Sequence, residues 1–123
     1  MSDPVRVLIV DDHRLFADAL KLWLDRDPTL EVVAIAGSGE EAVDLAVAHD
    51  AEVVLMDVGL PGIDGFEATR RLHVLKSAAK VIAVSGYPGD DVEGAAADAG
   101  MVSFLSKDRI HEHVRDAIAR AVG

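Results

Sequence analysis

The chain has 123 residues, half of them hydrophobic and 28% charged, with 10 glycines, 4 prolines, no cysteine and a formal net charge of −10. That is the size of one domain able to bury its own core. It excludes a disordered, collagen-like or low-complexity chain, a disulfide scaffold, a thiol nucleophile, and Cys-based zinc or iron–sulfur sites. Five short apolar runs follow, starting every 22 to 28 residues: Val5–Val10, Glu31–Ala36, Val53–Met56, Val81–Val84 and Ser103–Leu105. Helix-length stretches separate them: Arg14–Asp27, Glu40–Ala48, Gly65–His73, Val92–Ala99 and Ile110–Val122. This alternation predicts an α/β domain over residues 1–123 with a parallel sheet and helices on both faces. The first, third and fourth runs are nearly all apolar, as strands buried on both faces are; the short fifth run suits an edge.

Start and stop signals support these helices. Ser38-Gly39-Glu40-Glu41 reads as a capping box. Asp64 is placed to cap the third helix, Asp90 or Asp91 the fourth, and Asp108 the fifth. Pro28 cannot continue the first helix. The apolar positions of that helix, Leu15, Phe16, Ala19, Leu20, Leu22, Trp23 and Leu24, spread over more than one stripe, which points either to deep burial or to packing on another molecule.

In open parallel sheets, ligands bind beyond the carboxyl ends of the strands. Asp11 and Asp12 follow the first predicted strand, Asp57 the third and Ser85 the fourth, and Lys107 comes just past the fifth. If the strand order is 2-1-3-4-5, the three acids crowd together. Two carboxylates about 5 Å apart repel by roughly 3 kcal/mol at an effective dielectric of about 20. A divalent cation with oxygen ligands, Mg²⁺ or Mn²⁺, and a lysine would offset this. That pairing is the usual device for holding a transferring phosphoryl group, and a carboxylate can be the attacked nucleophile. Asp57, central between the acid pair and the Ser85/Lys107 side, is the best placed. Taken singly, Asp11 or Asp12 could be a helix cap, Ser85 a turn residue and Lys107 a surface lysine; their joint placement at strand ends argues otherwise.

These segments together resemble the receiver domain of two-component response regulators. They are Val7-Leu8-Ile9-Val10-Asp11-Asp12-His13, Val54-Leu55-Met56-Asp57, Leu60-Pro61-Gly62-Ile63-Asp64-Gly65, Val84-Ser85-Gly86 and Phe104-Leu105-Ser106-Lys107-Asp108. The resemblance covers essentially the whole chain. It implies a flavodoxin-like receiver fold and phosphotransfer from a sensor histidine kinase to Asp57. Asp12, Asp57 and the Gly59 carbonyl would ligate Mg²⁺, with Asp11 reaching it partly through water. Lys107 would neutralise the phosphoryl group, Ser85 would be the switch hydroxyl and Phe104 the aromatic switch. The chain would then be a phosphoacceptor rather than an enzyme.

Asp12-His13 and Lys107-Asp108 further resemble the subfamily that precedes a LuxR-type helix-turn-helix output. This implies a homodimer through the first and last helices and DNA contact through a domain beyond Gly123, while the acidic receiver itself meets neither nucleic acid nor membrane. With no signal-peptide pattern in MSDPVRV and no apolar run near the ~18 residues of a membrane helix, a cytoplasmic location is expected. Tyr87, two past Ser85, is read as shielding the acyl phosphate from water, within a pliable loop carrying Gly86 and Gly89. The five histidines lack metal-ligand spacing and are read as non-catalytic. A Mg²⁺-dependent phosphohydrolase would want a second acid where Gly59 stands, and a flavin domain would want a phosphate loop where Asp11-Asp12-His13 stands. A stand-alone receiver acting by protein contacts remains the alternative output.

Overall fold

A computed structural model describes residues 3–76, 78–86 and 90–123, apart from the side chain of Asp90. Tyr87 and Gly89 lie outside the described residues. In chain order the elements are β1 (Val5–Val10), α1 (Arg14–Leu24), β2 (Leu30–Ala36), α2 (Gly39–Ala48), β3 (Val53–Asp57), α3 (Gly65–Leu75), β4 (Lys80–Ser85), α4 (Asp90–Asp98), β5 (Ser103–Ser106), a 3₁₀ turn (Lys107–Arg109) and α5 (Ile110–Val122). The strands form one parallel sheet in the expected order β2-β1-β3-β4-β5, with β5 at an edge.

Alternation along the central strands divides the core in two. Leu8 and Val10 of β1, Val54 and Met56 of β3, and Val81 and Ala83 of β4 pack with Ala42 and Ala46 of α2, Ala68 and Leu72 of α3, and Ala96 of α4. The intervening residues, Val7, Ile9, Val53, Leu55, Ile82 and Val84, face Ala17, Leu20 and Leu24 of α1 and Ile110, Val114 and Ile118 of α5. A one-residue slip of any central strand would send each set to the wrong helices, so the pattern fixes register as well as burial.

The caps hold locally with three corrections. Ser38 Oγ accepts from Glu41 N at 3.1 Å, while Glu41 reaches back to Gly37 N at 2.7 Å; Asp64 accepts from Glu67 N at 2.9 Å. The first helix ends at Leu24 rather than Asp27, because Asp27 Oδ1 accepts from Thr29 N and Oγ1 and turns the chain around Pro28. Asp108 does not cap α5. It lies inside the 3₁₀ turn, where it accepts from the Ser106 hydroxyl, and the N-cap is Arg109, whose side chain makes no capping bond and donates to Glu112 instead. The fourth helix already runs from Asp90, so Asp90 and Asp91 both lie within it and neither precedes it as a cap.

Candidate functional site

Strands β1 and β3 are neighbours, with Val10 opposite Met56, so Asp11 and Asp57 emerge side by side at the carboxyl edge. The Asp11 N–H continues the sheet ladder to Ala36 O at 3.0 Å, which fixes the backbone from which its side chain departs. Asp11 is 2% exposed and Asp57 4%, whereas Asp12 turns outward. Among the described residues, Asp11, Asp12, His13 and Asp57 bring one ligand atom each to within 4.8 Å of one another.

Every oxygen whose contacts are described faces a donor. Asp11 Oδ1 accepts from His13 N at 2.8 Å, and Asp11 Oδ2 lies 2.7 Å from Lys107 Nζ. Asp57 Oδ1 accepts from Gly59 N at 3.0 Å, and Asp57 Oδ2 lies 3.4 Å from Lys107 Nζ. Burial raises the Asp57 pKa, and the Asp11 charge adds to this; the Gly59 N–H and the Lys107 ammonium oppose it without cancelling it. Burial alone would lower Lys107, but its bond to Asp11 and the charges of Asp57 and Asp11 carry its pKa upward, so it stays an ammonium.

Ser85 ends β4, one residue past the Asp57–Val84 pair and opposite Ser106 of β5, and is buried. It is therefore beside Asp57 in the sheet. Phe104 is not part of this constellation. It lies one strand over, opposite Ala83, half-buried against the α2–α3–α4 core. Gly86 lies beside the lysine stem, where a Cβ would make only ordinary contact with Lys107 Cδ at 3.9 Å.

Two residues lie at the site to which the sequence reading gave no role there. His13, read as non-catalytic, puts Nδ1 3.2 Å from Asp11 Oδ1, 3.6 Å from Asp12 Oδ1 and 3.3 Å from Lys107 Nζ. Phe16, read only as an apolar helix position, lies with its ring centroid 4.8 Å from the Lys107 ammonium. Their signal was the spacing His13–Phe16, i and i+3 at the mouth of α1, which puts both above the strand ends. Lys107 also reaches further than expected, across the pocket to Asp11.

The donor set suits a hard cation. Mg²⁺ takes oxygens at about 2.1 Å in an octahedron and keeps several waters, so opposing ligands stand about 4.2 Å apart. Carboxylates already within 4.8 Å of one another meet this with small side-chain adjustments. Asp12 is the most open of the three acids.

The model of the response regulator receiver domain family matches residues 7–119. Transcriptional regulatory protein LiaR of Bacillus subtilis is 36% identical over 117 residues, 95% of this chain and 56% of its own length. The crystal structure of a LuxR-family two-component response regulator from Aurantimonas superimposes with a TM-score of 0.91 at 30% identity, covering 98% of this chain and 87% of that one. The signal receiver domain of a NarL response regulator from Mycobacterium tuberculosis gives 0.91 at 28% identity, covering 99% of each. The chain spans about half the length of the curated relatives it matches. Sheet order, acid cluster and these likenesses converge: the chain belongs to the receiver domains of two-component response regulators, related to those of LuxR-type transcriptional regulators.

Proposed function

We propose that Asp57 accepts a phosphoryl group from the phosphohistidine of a sensor histidine kinase, and that the acyl phosphate redirects the chain's surface. The observation that carries this reading is a buried carboxylate at a strand end, flanked by two further acids and an ammonium. Burial without full compensation makes Asp57 the more basic and so the better nucleophile. One Asp57 oxygen attacks phosphorus. The P–N bond to the kinase imidazole breaks, its electron pair stays on the imidazole nitrogen, and that nitrogen takes up a proton.

Asp12, Asp57 and the Gly59 carbonyl would hold Mg²⁺, with Asp11 behind them, and Mn²⁺ could substitute. When bound, the ion offsets negative charge on the phosphoryl oxygens. Lys107 pairs with one of those oxygens and Ser85 donates its hydroxyl to another. Their inward pull, followed by the Phe104 ring, alters the face formed by α4, β5 and α5. The partner side follows from the same reading, with the chain in the cytoplasm: a sensor histidine kinase, a second copy of the chain through α1 and α5, and a DNA-binding output domain in the full-length protein. The stand-alone alternative shares the chemistry and differs only in what reads it. Gly59 offers no second acid beside Asp57, which favours a phosphoacceptor over a turnover phosphohydrolase.

Incubation with Mg²⁺ and acetyl phosphate, followed by intact-mass measurement, tests the reading. Wild type gains one phosphate, while Asp57→Ala and wild type in EDTA gain none. Equal modification of Asp57→Ala would overturn it.

A further inference from the structure

The ring beside the Lys107 ammonium calls for its own explanation. Phe16 is half-buried on the first turn of α1, and lines a groove of about 290 Å³ with Ala19, Leu20, Trp23, Lys107 and Ile110. Filling that groove asks only for an apolar side chain, and a leucine would serve. What a leucine lacks is the negative face of an aromatic ring, which attracts a cation lying within about 6 Å of the centroid. The Lys107 Nζ lies 4.8 Å from it.

We infer that Phe16 is a positioning residue: its ring holds the Lys107 ammonium at the mouth of the acid pocket, where it meets the oxygens of a group arriving on Asp57. A lysine carries four rotatable side-chain bonds and a strongly hydrated head, and left alone it swings into water. Asp11 fixes the ammonium on one side at 2.7 Å, and the ring fixes it on another. Asp57 Oδ2 is already 3.4 Å away, so the ammonium that the ring holds stands beside any group carried on Asp57. The ring therefore supports the loaded state as well as the resting one. The inference rests on the phosphoacceptor reading of Asp57.

The test uses beryllofluoride, a phosphoryl analogue, with saturating Mg²⁺, its binding to the full chain followed by fluorine NMR. Wild type binds, and Lys107→Ala does not. Phe16→Leu weakens binding by about 2–10-fold, the range of a partly exposed cation–π contact. Phe16→Tyr restores it, and stepwise fluorination of the Phe16 ring weakens it in step with the fading negative face. Mg²⁺ affinity, measured alone by calorimetry, is not weakened in Phe16→Leu, whereas general damage to the pocket would weaken both. If wild type fails to bind beryllofluoride, the reading of Asp57 falls. If wild type binds and Phe16→Leu binds equally or more tightly, the positioning role alone falls.

Discussion

The surroundings of Asp57 disfavour its charge. Burial and the neighbouring Asp11 charge raise its pKa, and Gly59 and Lys107 only partly relieve this. A raised carboxylate pKa means that, between the ordinary carboxylate value and the raised one, the folded chain binds more protons than the unfolded chain. Stability contributed at this site is thus present at low pH and lost as pH rises through that window. Asn at position 57 keeps the shape and an oxygen for the Gly59 N–H while removing the charge. Asp57→Asn is expected to raise the melting temperature at pH 7 by about 2–6 °C, an advantage that shrinks as pH falls into the ordinary carboxylate range. Calorimetry across pH checks both sign and trend. An unchanged or lowered melting temperature at pH 7 would mean that the pocket compensates Asp57 in full.

At the scale of elements, the site depends on how closely α3 approaches the end of β3. A Cβ at Gly65 would stand 2.4 Å from Asp57 O, 2.9 Å from Val58 Cα and 3.0 Å from Met56 Cγ, so backbone would have to move. Gly65→Ala is expected to cost about 1–3 kcal/mol or more in urea unfolding and to lower phosphorylation of Asp57 by displacing its backbone. A variant as stable and as reactive as wild type would show the contact to be soft. Gly65 was legible in the chain as the residue after a cap and the last of a segment resembling the receiver family, not as a point of close packing. The strands and most helix starts were legible because apolar period and capping chemistry are local, as at Ser38 and Asp64. The acids at the strand ends were legible because topology alone aligns them. What escaped were the long side chains and the short turns. Lys107 reaches Asp11 across the sheet, His13 and Phe16 meet it from α1, and Asp108 serves a 3₁₀ turn instead of α5. The contacts of Lys107, His13 and Phe16 join elements far apart in the chain, whereas the Ser106–Asp108 bond spans two residues and shows only in the turn itself.

At the scale of the molecule, α1 carries more apolar surface than the core uses. Its inner side supplies Ala17, Leu20 and Leu24 to the α1–α5 core, yet Leu15 is 89% exposed and Leu22 69%. With Ala19 between them they form an i, i+4, i+7 stripe beside α5, which Trp23 joins through His111 at 6.0 Å and Arg115 at 4.8 Å. The proposed homodimer would cover this stripe. Leu22→Glu is expected to leave Asp57 phosphorylation unchanged and to keep the phosphorylated chain monomeric in sedimentation at concentrations where wild type is dimeric. A phosphorylated Leu22→Glu that still dimerises would move the interface off α1.

The central claim is that phosphate is carried by Asp57 and by no other residue. After phosphorylation in Mg²⁺, borohydride reduces an aspartyl phosphate to homoserine, which peptide mass mapping places within the sequence. The account predicts homoserine at position 57 alone. Reduction at Asp11 or Asp12, or phosphate retained on His13 with Asp57 unmodified, would contradict it.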